Sequence, residues 1–138
     1  MLFFLQKFHS GWAYLTLLMG FVFLIALAYY AFSKKSRDTT IRRISLFTTL
    51  VFHIQLLMGV LLYFLSPIAK WSDETMKNSE LRLYAMEHPL MMFAAVIFIT
   101  VANSKVKKSE TVQPMTVVFA LIGLALVLSR IPWNAWLG

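Results

Sequence analysis

Three imidazoles are the side chains of this sequence best suited to chemistry: His9, His53 and His88, each set in or at the edge of an apolar stretch. An ionisable group inside a bilayer is costly and is usually kept for function. A neutral imidazole serves as an axial ligand to haem iron without burying a charge, and two such rings facing each other across a helical bundle hold one b-type haem. Two pairs are open on spacing alone, His9 with His88 and His53 with His88. It is equally open that each ring only packs, or sits at an interface. Counted from the basic ends of the helices at 1.5 Å per residue, His53 lies about 15 Å up, His88 about 24 Å and His9 about 36 Å.

Several other residues belong to the same question. Gln55 and Gly59 in HIQLLMG lie one helical turn apart, which sets an amide donor beside a position where a flat ring or a neighbouring helix can come close. Arg82, Arg130 and the Trp133 indole fall near the water boundary. Haem propionates need donors there, and arginines also snorkel there from helix ends. Met58, Met86, Met91 and Met92 would suit a Cu(I) path; ordinary filling of an apolar core is the preferred account of them. Glu87 borders His88. Neighbouring helical residues point about 100° apart, so it is expected to face headgroups. With no cysteine, a covalently attached haem, an iron–sulfur cluster, a thiolate metal site and a disulfide are all excluded. There is no Gly-rich phosphate loop, His-Glu-x-x-His pattern or serine elbow, so a hydrolase or a nucleotide-driven pump is a poor fit.

The elements that must position these residues are membrane helices. Of the 138 residues, 59% are hydrophobic and 14% charged, and the mean hydropathy is +0.71, above the range of a soluble domain. Apolar stretches at about 12–32, 44–65, 83–102 and 112–128 are each near spanning length. They predict one all-α domain over 1–138, an antiparallel four-helix transmembrane bundle. The N-terminal MLFFLQKFHSGW has no small-residue cleavage site and is expected to be retained in the first helix. Pro67 and Pro132 are expected to stop the second and fourth helices, and Pro89 either starts the core of the third or kinks it, freeing the carbonyl of Ala85.

Net charge is +7, but the cations gather at the ends of apolar stretches, so lipid rather than nucleic acid is the expected partner. Lys34, Lys35, Arg37, Arg42 and Arg43 stand in and after the first connection, and Lys105, Lys107 and Lys108 around the third. Loops rich in Lys and Arg stay in the cytoplasm. This predicts a multi-pass protein of a bacterial inner membrane with both termini and the second connection outside. Trp12, Trp71, Tyr84, Trp133 and Trp136 then fall near the outer interface, where amphipathic rings settle.

The segments FHSGW, FHIQLLMGVLLYFLSP, LRLYAMEHPLMM and RIPW resemble the small bacterial four-helix membrane proteins labelled "cytochrome B", over nearly the whole chain. Ala13 and Tyr14 stand where that pattern carries an arginine. A more distant likeness is to one half of haem A synthase, whose modules place histidines on alternate helices with a Gln-x-x-x-Gly helix between. These resemblances imply haem b, with His9 and His88 as the axial pair and His53 as an additional inner residue. They also imply electron transfer with quinol or with other membrane subunits of a respiratory complex. Two other functions are carried beside this one. One is a cofactor-free accessory subunit of a respiratory or transport complex; the other is a carrier of haem or copper. An electron-transfer or accessory role suits the chain better than that of a stand-alone enzyme.

Overall fold

The computed structural model describes residues 1–137. Four helices form a bundle: α1 (Leu2–Phe32), α2 (Thr39–Leu65), α3 (Ser79–Lys108) and α4 (Pro114–Ser129). A 3-10 turn at Pro67–Ala69 and a short α5 (Trp133–Leu137) complete the regular elements. The fold is all-α as expected, and α1, α2 and α3 are each long and apolar enough to cross a membrane. α4 is apolar but has 16 residues, about 24 Å at 1.5 Å per residue.

The helices outrun the apolar stretches, because hydropathy marks a solvent preference while a helix continues until its backbone is capped. α1 begins at Leu2 rather than near Trp12, so His9 lies within the helix and not at its mouth. α2 begins at Thr39, where the Asp38 carboxylate accepts from the Ile41 N–H at 3.0 Å. That bond and the Tyr30 hydroxyl, which donates to both carboxylate oxygens at 2.8 and 2.9 Å, hold the Asp38 carboxyl below its ordinary range. α3 begins at Ser79, capped by the Asn78 side chain, and runs to Lys108 with Lys105, Lys107 and Lys108 in its last turn. Cations there oppose the negative end of the helix dipole.

α1 packs on α2 and α4, α3 packs on α2 and α4, and α1 and α3 stand diagonally opposed. Neighbours run in opposite directions. The Trp12 indole donates to the Val51 carbonyl and the Gln55 amide to the His9 carbonyl. Between α2 and α3, the Ser45 hydroxyl donates to the Asn103 Oδ1 at 2.7 Å and the Tyr63 hydroxyl to the Ala85 carbonyl at 3.1 Å. The two basic connections meet at one end, where Ser36 and Thr111 form a single antiparallel bridge and the Arg37 N–H donates to the Glu110 carbonyl.

The bundle is inside-out relative to a soluble one. Phe23, Leu27, Phe52 and Ile99 are buried together with Ser45, Thr48, Asn103 and Thr116, while Leu18, Phe21, Ile25, Leu50, Phe93 and Leu121 are exposed. Buried hydroxyls bond back to carbonyls one turn earlier, Thr48 to Ile44 and Thr49 to Ser45, which satisfies them where no water reaches. Hydroxylated residues thus share the interior with large apolar ones, while many large apolar side chains cover the outside, a surface suited to lipid.

At Gly123, α4 lies close against α3. A Cβ there would stand 3.2 Å from the Ala95 carbonyl oxygen and from the Ile99 side chain. The carbonyl cannot rotate away, so Gly123→Leu must spread the two helices. It is expected to cost about 1–3 kcal/mol, read as a lower unfolding midpoint of the detergent-solubilised protein. An unchanged midpoint would mean that this contact is loose.

Candidate functional site

The half of the bundle away from the basic connections holds a partly open cavity of about 800 Å³, within the range of small-molecule sites. Its walls are mostly apolar, with Leu17, Phe52, Leu56, Met92, Val96 and Val127 among them. His9 and His88 both line it, although they come from diagonally opposed helices. Their ring centroids lie 6.2 Å apart and their planes are nearly perpendicular, at 86°.

The His88 ring is held by a hydrogen bond, the His9 ring by packing alone. The His88 Nδ1 lies 2.8 Å from the Arg130 carbonyl oxygen. A carbonyl only accepts, so Nδ1 carries the proton and the neutral ring keeps its Nε2 lone pair free. On α1, the Gln55 amide donates to the His9 carbonyl at 2.9 Å, tying the backbone at that residue to α2. One turn further along α2, Gly59 leaves the space that the His9 ring fills: a Cβ there would meet the His9 Cε1 at 3.3 Å. The His9 Nδ1 and the Gln55 Oε1 are buried with no hydrogen-bond partner among the described residues. Orphaned polar atoms of this kind need an explanation, and a ligand is one.

The way α3 delivers His88 depends on Pro89. Proline has no N–H and its ring crowds the carbonyl four residues back, here that of Ala85. The helix does not break at that point. It widens into a π turn over Leu83–Glu87, with the His88 N–H reaching the Leu83 carbonyl, and the regular helix resumes at His88. The freed Ala85 carbonyl accepts from the Tyr63 hydroxyl, which in turn accepts from the Trp71 indole at 3.0 Å. A π turn inside a helix is uncommon and tends to lie at a functional position.

The same widened turn decides the fate of the arginines. Residues five apart do not share a face of an α-helix, but across a π turn they do. Arg82 Nε therefore lies 3.0 Å from Glu87 Oε1. Arg130 Nε lies 3.4 Å from Glu87 Oε2. Glu87 stands between two guanidinium groups, and neither arginine lines the cavity. The Trp133 indole donates to the Leu128 carbonyl and also lies outside the lining; Trp136 lines the cavity and donates to the Ser10 carbonyl at 3.1 Å.

His53 is not brought to the cavity. Its ring is on the exposed side of α2, with Nδ1 donating to the Thr49 carbonyl at 2.7 Å. Helical phase accounts for this: two residues turn the helix by about 200°, so His53 points away from the side that carries Gln55 and Gly59. That signal was present in the sequence. Met92 lines the cavity, while Met58, Met86 and Met91 do not. The Tyr63 bond to Ala85 and the capture of Glu87 by Arg82 and Arg130 are the features the sequence did not announce.

No family model, curated protein or solved structure matches the chain. Two imidazoles bonded to one metal ion at about 2 Å each have ring centres roughly 6 Å apart, the separation of His9 and His88. Among the described residues, no three His, Cys, Asp or Glu side chains gather to hold a metal ion. Two protein ligands suit a metal that arrives with its other ligands already attached, as haem iron does. The donor set and the mostly apolar walls fit that group.

Proposed function

We propose that this chain is a membrane-embedded, b-type cytochrome-like protein that exchanges electrons with quinol or with a partner subunit of a larger respiratory complex. It crosses the bacterial inner membrane four times, with the basic connections in the cytoplasm and both termini outside. The fourth crossing is made by α4 together with the Arg130–Leu137 segment, whose indoles settle at the interface. His9 and His88 hold one haem b in the outer half. The observation that carries this is the approach of two imidazoles from diagonal helices to 6.2 Å inside an apolar cavity.

Bound haem would supply one-electron chemistry; the chain supplies the surroundings. His88, its Nδ1 proton given to the Arg130 carbonyl, offers Nε2 in a fixed orientation, and such a bond raises the basicity of a ligating ring. Gln55 holds the backbone of His9 in place, and Gly59 keeps the space beside its ring clear. The apolar walls exclude water and lower the local dielectric, which sets a potential together with the ligand pair.

The test is the spectrum of the purified protein in detergent. A Soret band and a reduced-minus-oxidised α band are expected, either as isolated or after haem addition. Absence of both, before and after addition, withdraws the proposal. Orientation is checked separately, because the chain has no native cysteine. In intact cells a membrane-impermeant maleimide is expected to label Ser72→Cys, and to label Ser36→Cys only after permeabilisation. The reverse pattern would invert the topology.

One observation favours the cofactor-free accessory subunit. Arg82 and Arg130, the natural donors to propionates, are already engaged by Glu87. In that case His9 and His88 only pack edge to face, and haem addition leaves the spectrum of the protein blank.

A further inference from the structure

We infer that Lys7 is the counter-charge for the carboxylates of the bound tetrapyrrole and so sets which edge of the ring faces out of the bundle; this rests on the haem proposal. Of the described residues lining the cavity, Lys7 alone carries a full charge, and no Asp or Glu is among them. Its ammonium takes part in none of the ion pairs of the described residues, which involve Lys35, Lys77, Arg82 and Arg130. A dianionic ligand entering this cavity meets one cation and no compensating acid.

The placement of the ammonium is specific. Lys7 is exposed, two residues before His9, at the outer end of α1. Two residues turn the helix by about 200°, so Lys7 stands on a different side of α1 from the His9 ring and reaches the edge of the cavity next to Phe3, which also lines it. Its Nζ lies 5.5 Å from the Phe3 ring centroid, one turn back, close enough for the ring face to attract and hold the cation. Gln6 and Ser10, which also line the cavity, add uncharged donors on the same rim. The rest of the described lining carries no Asp, Glu, Lys or Arg and is mostly apolar. A flat amphiphile with carboxylates on one edge thus has one favourable orientation, with its carboxylates at Gln6, Lys7 and Ser10 and its apolar body between the histidines. The arginine donors foreseen from the sequence are withheld by Glu87, and the lysine takes the role they would have had.

Haem carrying free carboxylates and its dimethyl ester, in which those groups are uncharged, separate this from general apolar binding. Both are titrated into the full-length protein in a nonionic detergent, where no lipid phosphate competes for the lysine. The free acid is expected to bind about fivefold more tightly than the ester, the scale of one partly exposed ion pair. Lys7→Gln should erase that preference with the ester affinity unchanged, and Lys7→Arg should keep it. A preference that survives in Lys7→Gln, or that disappears in Arg82→Gln instead, overturns the assignment while the haem site stands. If adding wild-type protein shifts the Soret band of neither porphyrin toward that of a haem held by two histidines, the haem proposal falls and the role of Lys7 falls with it.

Discussion

Replacing His88 with alanine is expected to abolish the spectrum of a haem held by two histidines and to weaken haem binding by at least about 100-fold. Outer partners of metal ligands are worth about 10–100-fold, and a direct ligand must exceed them. The bundle itself should survive. The His88 side chain makes one hydrogen bond, to the Arg130 carbonyl, and losing such a partner costs on the order of 1 kcal/mol. The close packing of α3 on α4 around Ala95, Ile99 and Gly123 lies elsewhere. Far-ultraviolet circular dichroism should match the wild type, and added imidazole should restore the spectrum by occupying the space left by the ring. His53→Ala is the control. Its ring is on the exposed side of α2, so its removal should leave the spectrum and the affinity alone. Loss of haem in His53→Ala with retention in His88→Ala would put the iron on the wrong residue.

Gly59→Leu is expected to cost about 10–100-fold in haem binding, the scale seen when a ligand's orientation is disturbed. A Cβ at this position stands 3.3 Å from the His9 Cε1, and a leucine takes the volume of the ring. The contrast with Gly123 is physical. At Gly123 the obstacle is backbone, so the helices must separate and stability falls. At Gly59 it is a side chain bordering a cavity, so the ring can turn aside and the change appears in binding. Gly59→Ala should cost far less, because the ring need move only by a few tenths of an ångström. Haem titration alongside the unfolding midpoint distinguishes the two cases. Wild-type affinity in Gly59→Leu would show that His9 is not a ligand in the orientation described.

These two residues also show how much of the site was legible. The Gln55–Gly59 spacing marked one stripe of α2 as a place for close approach, and that stripe faces His9. The helical phase that excludes His53 from the stripe was available from the same segment. The roles foreseen for Arg82 and Arg130 rested on their position near the water boundary. The π turn ahead of Pro89 brings Glu87 onto the side of Arg82, and Arg130 meets the same carboxylate from the end of α4.

The sequence by itself determined the all-α class, the apolar helices and the gathering of the basic connections at one end. Each of these follows from local quantities: hydropathy over about 20 residues and charge in short loops. Only the tertiary structure decided which histidines meet, that Glu87 occupies the arginines, and that Lys7 is left as the charge at the cavity rim. Those outcomes depend on which helices stand diagonally, on how each is rotated about its own axis and on where one extra residue widens a turn. A shift of one residue in phase moves a side chain by about 100°, and such rotations are settled by packing between helices distant in the chain.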